Sequence, residues 1–438
     1  MMSRMATIGI YMLPEYGGLN ATFALARTLV RRGHHVRYFV PEAFEAHVTR
    51  QGFESTRYSE KLRVPASWAT RIPGVRFLHL RARYNEHLAA AFGAWVDADA
   101  LDGVLVDPVV WNVAAGALER GLPYLSLNPT YSAPFSLDYP SVHASAIPPH
   151  GGASARARNL VAWTLQARIP WHRGLYDRAI GWAGHDAFRR VRRAGRRVRW
   201  GDFGYRPDVP ELVIGPRALD FEPLRALPHR HYLGTSVEPS RHDGTFDWSG
   251  HDVSRPLAYC SLGTFGDDQA PALRFLTAVI ESFRQREGWQ LIVSCGALAE
   301  ALRSKALPPS IRVEASVPQL EILPRARLFL NHGGIGSVRE AMYFGVPMLL
   351  FPFGADQPGL TARLVHHRLG LRGDLRTKDA HVITERVDAL LGRDDITAAM
   401  EAMKQGCRDS RELEEGADII EQHFARGTRV SDVASGER

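Results

Sequence analysis

Short apolar runs alternate along the chain with segments whose apolar residues recur at helical spacing. Residues 7–13 (TIGIYML) form one such run, which predicts a buried strand. Residues 20–32 show the helical spacing and end at Gly33, and residues 35–40 (HVRYFV) predict the next strand. Strand, helix and strand in this order are typical of a parallel sheet covered by helices, so the chain begins as an α/β protein.

The same order returns in the second half, around a glycine-rich turn. Residues 326–331 (ARLFLN) predict a strand, residues 332–337 (HGGIGS) a turn that leads into a short helix, and residues 346–353 another strand. Asp356 and Gln357 follow the end of that second strand. Because parallel sheets bind ligands outside the carboxyl ends of their strands, the turn and this polar pair predict one binding site.

The turn and its helix suit a diphosphate that carries a sugar. Gly334 and Gly336 let the backbone approach a ligand closely, and the start of the helix offers free N–H groups to an anion. His332 adds a ring donor, Ser337 adds a hydroxyl, and Glu340, one turn further along, can accept hydrogen bonds from a ribose. In the competing interpretation, the glycines only permit a tight turn and the serine only caps a helix. The joint pattern, with an acid–amide pair after the next strand, favours the binding site.

The stretch HGGIGSVREAMYFGVPMLLFPFGADQ, residues 332–357, resembles the nucleotide-sugar signature of the family 1 glycosyltransferases. That family comprises the UDP-glycosyltransferases and the macrolide glycosyltransferases. The resemblance implies the GT-B fold, in which two Rossmann-like α/β domains face each other across a cleft. It also implies a UDP- or TDP-sugar as co-substrate and inverting transfer, with no metal and no other cofactor.

The resemblance extends to two further segments of the second half. The turn after residues 257–261 (LAYCS) is similar to one that approaches the donor phosphates, and Val317-Pro318-Gln319 is similar to a segment that holds the base and ribose. The donor-binding residues that the resemblance implies are Gly263, Thr264, Val317, Gln319, His332, Gly334, Gly336, Ser337, Glu340, Asp356 and Gln357.

The predicted elements and the resemblance together divide the chain into five parts. Residues 1–234 are expected to form a Rossmann-like domain that binds the acceptor, and the polar, turn-rich segment 235–255 is expected to link the domains. Residues 256–410 are expected to form the domain that binds the nucleotide sugar. Residues 411–426 are expected to form a helix that crosses back to the first domain, and residues 427–438 a disordered tail.

The first domain departs from the family at the position of its usual catalytic histidine. Counting back from the family-like ending of the first helix places that histidine at Gly18, whereas the aspartate that partners it is retained as Asp107. Three hypotheses follow. Glu15 or Asp107 acts as the base; the acceptor is acidic enough to need little help; or the protein binds a nucleotide sugar and transfers it slowly or not at all. In the competing interpretation, Glu15 is a solvated loop charge and Asp107 a turn residue or helix cap.

Cysteine content, apolar runs and net charge bear on the cellular compartment and on the partners of the protein. The three cysteines, Cys260, Cys295 and Cys407, are too widely spaced for a metal motif or a disulfide framework, which favours a reducing cytoplasm. The amino terminus does not read as a signal peptide, and no apolar run has the ~18 residues of a membrane span. The net charge of +7 is common in arginine-rich chains, and no nucleic-acid module is visible.

Residues 156–200 combine four tryptophans with a run of arginines towards their end. A basic helix with aromatic residues is typical of a segment that lies on an anionic membrane, so this segment predicts a peripheral membrane contact. The competing interpretation is a helical insertion with a solvated basic face.

These observations predict a hexosyltransferase that acts on a lipophilic small molecule, such as a natural product, without a nucleic-acid partner. One alternative, which the glycine at position 18 keeps open, is a catalytically weak homologue that binds the donor or assists another transferase. The second alternative is a membrane-associated lipid or carotenoid glycosyltransferase.

Overall fold

A computed structural model describes residues 5–59, 73–133, 136–145, 153–168, 209–223, 227–263, 269–304 and 306–435. Within these ranges the chain forms two β-sheets in which every neighbouring pair of strands is parallel. The predicted α/β class, with two Rossmann-like halves, is therefore confirmed.

The first sheet has seven strands in the order β3-β2-β1-β4-β5-β6-β7. Its strands are β1 Thr7–Tyr11, β2 His35–Pro41, β3 Glu54–Tyr58, β4 Gly103–Val106, β5 Tyr124–Asn128, β6 Glu211–Val213 and β7 Arg230–Tyr232. The helices described among them are α1 Tyr16–Arg31, α2 Glu42–Arg50, α3 Pro73–Asp99, α4 Trp111–Glu119 and α5 Ala153–Arg168.

The second sheet has six strands in the order β10-β9-β8-β11-β12-β13. Its strands are β8 Leu257–Ser261, β9 Gln290–Ser294, β10 Ile311–Glu314, β11 Ala326–Asn331, β12 Met348–Leu350 and β13 Gly370–Arg372. The accompanying helices are α6 Gln269–Arg284, α7 Ala299–Arg303, α8 Gln319–Ile322, α9 Ile335–Phe344, α10 Gln357–His366, α11 Ala380–Leu391, α12 Asp394–Asp409 and α13 Glu412–Ser435.

Alternation along the strands places apolar side chains on both faces of the first sheet. In β1, Ile8 and Ile10 belong to one buried cluster with Leu25 of α1, whereas Tyr11 belongs to a second cluster with Trp95 of α3. A sheet buried on both faces needs almost continuously apolar strands, which is why the sequence shows them as short unbroken apolar runs.

The strand order reverses once in each sheet, and both reversals position the site. In the first sheet the chain winds outwards in one direction from β1 and in the other from β4, and in the second sheet the same holds for β8 and β11. Crevices open at such reversals, outside the carboxyl ends of the two strands. Glu15 and Asp107 follow the first pair of strands, whereas Gly263 and His332 follow the second pair.

The predicted linker, residues 235–255, lies between β7 and β8, so the strands of the two sheets fall on either side of it. It packs on both halves of the molecule. The Ser236 hydroxyl donates to the Ala21 carbonyl of α1 (2.8 Å), and the Asp252 N–H donates to the Gln290 side chain of β9 (2.9 Å). The linker is thus an ordered strap, while the domain boundaries themselves stay predictions.

Helix α13 packs on the first sheet, as expected for a helix that crosses back. Its Ile420 and Phe424 lie in the core beside α1, and Arg32, which follows α1, pairs with Glu414 (2.6 Å) and Asp418 (2.6 Å). The helix continues to Ser435, so the predicted disordered tail of 427–438 is corrected over most of its length. Each added residue in a helix gains a backbone hydrogen bond, so a helix can run beyond the apolar pattern that reveals it.

One buried ion pair joins the two halves. Asp220, which follows β6, and Arg363 of α10 approach to 2.9 Å, and their side chains are only 2% and 0% exposed. The Tyr139 hydroxyl donates to Asp220 (2.6 Å) and accepts from Arg363 (2.7 Å), and the Tyr232 hydroxyl also donates to Asp220 (2.8 Å). Burial opposes the charge of Arg363, but Tyr139 and Asp220 outweigh it and raise the pKa of the guanidinium.

Asp220→Asn should lower the free energy of unfolding by about 3–5 kcal/mol, because it leaves the Arg363 charge buried without its counter-ion. Asp374→Asn is the matched control, since Asp374 and its partner Arg376 are 68% and 93% exposed, and should change stability by less than about 0.5 kcal/mol. Urea unfolding of both variants measures the difference. Equal small effects would show that the buried pair does not hold the halves together.

Candidate active site

The amino-terminal ends of α1 and α9 face each other where the two sheets meet. A Cβ added to Gly336 would lie 3.8 Å from the Cα of Gly17, so the two backbones approach closely there. The loops after β1 and β4 lie on one side of this cleft, and the loops after β8 and β11 lie on the other. The structure therefore brings the predicted donor residues opposite the predicted catalytic ones.

The His332 ring is held between two glycines and an aromatic ring. A Cβ at Gly263 would lie 2.7 Å from the ring Cε1, and a Cβ at Gly334 would lie 2.3 Å from Nε2, so neither position has room for a side chain. The Phe353 ring stacks on the imidazole, with 5.7 Å between centroids. These glycines therefore leave room for the histidine ring as well as permitting the turn, which the sequence alone did not reveal.

Burial lowers the pKa of His332 to about 4, although a backbone contact with Ser261 opposes the shift. The ring is therefore neutral at pH 7. Its buried Nδ1 atom has no hydrogen-bond partner among the residues that the structure describes. An unpaired buried polar atom costs free energy, so a polar ligand group that reached this nitrogen would be favoured.

Helix α9 begins at Ile335, two residues before Ser337, with Gly334 as its N-cap and no side-chain cap. The competing view of Ser337 as a helix cap is therefore wrong, because the residue lies inside the first turn. Its hydroxyl lies 3.5 Å from Nε2 of Gln319. The first-turn N–H groups of α9 have no capping side chain, so an anion can take that place. Gly345, with φ of 77°, ends the helix as predicted.

Both carboxylate oxygens of Glu340 are held within the protein. Nε2 of Gln319 donates to one oxygen (2.6 Å), and a guanidinium N–H of Arg241, from the strap, donates to the other (2.7 Å). The Tyr259 hydroxyl in turn donates to Oε1 of Gln319 (3.2 Å). Sequence reasoning did not find Arg241, because a single arginine in a polar, turn-rich segment carries no signal.

Asp356 and Gln357 lie at the start of α10. Oε1 of Gln357 accepts the N–H groups of Phe353 (3.0 Å) and Gly354 (3.3 Å), so the side chain shapes this loop and its NH₂ is the group that can face a ligand. Burial raises the pKa of Asp356, although the nearby Thr130 side chain opposes the shift.

A loop of the first half reaches the same corner of the cleft. Nδ1 of His143 bonds to the carbonyl of Ala355 (2.8 Å), next to Asp356. The Gly359 N–H of α10 donates to the Val142 carbonyl (2.9 Å), and a Cβ at position 359 would lie 2.1 Å from that oxygen. Sequence reasoning missed His143, since it lies in a loop without a periodic pattern.

On the opposite side of the cleft, the Asp107 carboxylate is hydrogen-bonded to the backbone. Its carboxylate accepts the N–H groups of Leu13 (3.3 Å) and Val109 (2.9 Å), and the residue is 2% exposed. Burial raises its pKa to about 6 against the effect of these two bonds, and the charge of Glu15 raises the pKa further. Asp107 thus ties the loop after β1, which carries Glu15, to the loop after β4.

Glu15 precedes α1 and is exposed, with no side-chain capping bond to the helix. Its pKa is raised, first by partial desolvation in the cleft and second by the charge of Asp356 across it. At Gly18, a Cβ would come no closer than 3.5 Å to its nearest neighbour, the Leu13 carbonyl. A side chain therefore fits at the position where the family usually has its histidine.

The other predicted positions are less informative. Val317 packs against the core of the second half, and Thr264 lies outside the described residues, as do residues 169–200 of the basic, tryptophan-containing segment.

Within the described ranges, no cluster of three or more His, Cys, Asp or Glu side chains could hold a metal ion. No helix in these ranges is both long and apolar enough to span a bilayer.

Comparison with known proteins fits this geometry. Residues 291–415 match the family described as erythromycin biosynthesis protein CIII-like, C-terminal domain. Over its length the chain is 26% identical to a zeaxanthin glucosyltransferase of Pantoea ananas across 434 residues, which cover 95% of this chain and 96% of that protein.

Solved structures that share the fold include a glycotransferase and a rhamnosyltransferase. The glycotransferase of kitacinnamycin superposes with a TM-score of 0.71 at 23% identity, over 96% of this chain and 99% of that one. The spinosyn rhamnosyltransferase SpnG complexed with thymidine diphosphate superposes with a TM-score of 0.63 at 17% identity, over 95% of this chain and 100% of that one. The resemblance to the family 1 glycosyltransferases and the GT-B fold are thereby confirmed, and the chain is a glycosyltransferase.

Acidification should reveal the buried neutral state of His332. The unfolded chain takes up a proton at this histidine near pH 6.5, whereas the folded chain does so only near pH 4, so the contribution of His332 to stability falls as the pH drops. Between pH 6.5 and about 5, wild type should lose about 1.5 kcal/mol of unfolding free energy relative to His332→Gln.

Urea unfolding of both proteins at several pH values measures this difference, which should be constant above pH 7. A difference that stayed constant throughout the acid range would contradict the buried neutral ring.

Proposed function

We propose that the protein transfers a sugar, with inversion, from a UDP- or TDP-sugar to a hydroxyl group of a lipophilic small molecule. The observation that carries the proposal is the cleft itself. The cradle around His332 and the start of α9 faces the loop that carries Glu15, so a donor bound to one side meets a base on the other.

The donor side offers a group for each part of a nucleotide sugar. The first turn of α9, His332, Ser337 and the turn at Gly263 suit the diphosphate. Glu340 suits the ribose, Val317 and Gln319 the base, and Asp356 and Gln357 the sugar hydroxyls. These roles follow the family resemblance, and the SpnG structure, which is complexed with thymidine diphosphate, supports a nucleoside diphosphate as the ligand.

Departure of the diphosphate requires that its developing charge be stabilised. The free N–H groups at the start of α9 are fixed donors in a largely buried setting beside the neutral His332 ring, where such donors act most strongly. Because they are already in place, they need little reorganisation as the bond to the sugar breaks.

Glu15 is the proposed general base. Asp107 uses its carboxylate to hold two backbone N–H groups, so it positions the loop, whereas Glu15 is exposed to the cleft. The raised pKa, caused first by desolvation, makes the Glu15 carboxylate a stronger base than an ordinary carboxylate.

Apolar side chains next to these groups favour a lipophilic acceptor. Tyr16 follows Glu15 and is 50% exposed, Val109 lies two residues after Asp107 and is 61% exposed, and Phe353 stacks on His332 and is 44% exposed. Exposed apolar side chains grouped at a cleft are typical of a binding surface. The related zeaxanthin glucosyltransferase is named for a lipophilic acceptor, which agrees with this preference.

The second candidate is a donor-binding accessory protein, which the glycine at position 18 favours. An assay of wild type with UDP- and TDP-sugars and a panel of phenolic and alcoholic acceptors separates the two. Sugar transfer supports the enzyme. If transfer appeared only in Gly18→His, the wild-type protein would be the accessory form.

Glu15→Gln should lower kcat for transfer by about a hundredfold, because the amide cannot take the acceptor proton, while the donor KM stays within about twofold. In wild type the rate should fall as the pH drops through the raised pKa of Glu15, since only the carboxylate is active. Glu42→Gln, at the exposed start of α2, is the control and should keep full activity. An unchanged kcat in Glu15→Gln would eliminate this residue as the base.

A further inference from the structure

The strap contributes a charged side chain to the donor side of the cleft. Arg241 is 5% exposed, and its guanidinium contacts Glu340 of α9 (2.7 Å) and Asp243 of the strap itself (Nε to Oδ1, 2.9 Å). Burial opposes the positive charge, but the carboxylates of Glu340 and Asp243 outweigh it and raise the pKa of the arginine. The charge is therefore kept at any pH at which the protein is folded.

Arg241 and Gln319 together determine how the Glu340 carboxylate is oriented. Each donates to a different oxygen, so the carboxylate cannot rotate without losing one of two short hydrogen bonds. An ionised carboxylate accepts about four hydrogen bonds, of which these two residues use one on each oxygen. One acceptor position on each oxygen is left for hydroxyl groups of a ligand.

The same strap is fastened to the first half of the molecule next to Arg241. The His242 N–H donates to Oε1 of Gln51 (2.9 Å), and Nε2 of Gln51 donates back to the His242 carbonyl (3.1 Å). Gln51 lies at the end of α2 and is only 2% exposed. A paired backbone contact to a buried side chain fixes the strap, and hence Arg241, relative to the first half.

We propose that Arg241 is a positioning residue for donor binding. It holds the Glu340 carboxylate in the orientation that receives the ribose of the nucleotide, and Gln51 fixes the position of Arg241 relative to the first domain. The inference rests on the proposed function, because it takes the ligand of Glu340 to be a ribose. A fixed carboxylate loses less entropy when it binds hydroxyl groups, so the effect appears as donor affinity.

The test titrates purified full-length variants with three probes: UDP, TDP and inorganic pyrophosphate, which lacks a ribose. Arg241→Gln should weaken binding of the nucleoside diphosphate that wild type prefers by about tenfold, equivalent to about 1.4 kcal/mol. Binding of pyrophosphate should stay within about twofold, because its site at His332 and α9 is untouched. In transfer assays, the donor KM should rise by a similar factor while kcat stays within about twofold.

Two further variants separate positioning from general damage. Arg255→Gln is the matched control, since Arg255 lies in the same strap, is 53% exposed and pairs only with Asp252 among the salt bridges of the described residues, and it should bind all probes like wild type. Arg241→Lys keeps the charge but not the forked geometry, and should weaken nucleotide binding by less than the glutamine variant. In a Glu340→Gln background, Arg241→Gln should add little further loss, because Arg241 acts through Glu340.

Three results would overturn the inference. Unchanged nucleotide binding in Arg241→Gln would show that Glu340 needs no presetting, and an equal loss of pyrophosphate binding would show a general structural effect. Full additivity with Glu340→Gln would show that the arginine acts independently. If wild type binds neither UDP nor TDP, the proposed function is wrong as well. If wild type binds one of them and Arg241→Gln binds it equally well, only the role proposed for Arg241 is wrong.

Discussion

The ion pair between Asp220 and Arg363 is the contact on which the arrangement of the two halves depends. Both charges are removed from water, and Tyr139 and Tyr232 satisfy the oxygens of the carboxylate. Breaking such a pair leaves an uncompensated buried charge, so separating the halves at this contact is costly. Because Arg363 lies on α10, which begins directly after Asp356, the ion pair also places the predicted sugar-binding residues against the first half.

The cleft is made where the strand order of each sheet reverses, and its two sides differ in character. The proposed donor side is a set of fixed groups: a neutral histidine between glycines, an uncapped helix start and a carboxylate held at both oxygens. The proposed acceptor side consists of a carboxylate with a raised pKa and exposed apolar side chains. Fixed donors suit a ligand with constant chemistry, such as a nucleoside diphosphate, whereas an open apolar wall suits acceptors that share hydrophobicity more than shape.

Local patterns predicted the second half well, since its elements are short and bounded by strong signals. Strands β8 and β11 have the predicted bounds, and Gly345 ends α9 as expected. Strand β12 is shorter than the apolar run 346–353, because Pro347 and Pro352 flank it and neither can donate a backbone hydrogen bond. The end of α13 was placed too early, since helical hydrogen bonding continues after the apolar spacing stops.

The amino-acid sequence is enough to predict the α/β class, the glycine turn with its helix, and the absence of a histidine at Gly18, because each depends on residues close together in the chain. The tertiary structure alone decided which distant residues meet. It brought Arg241 to Glu340, His143 to the loop beside Asp356, and Asp220 to Arg363. It also showed that Asp107 holds backbone N–H groups while Glu15 is exposed. Such contacts depend on how two sheets and a strap pack together, and no local spacing in the chain encodes that packing.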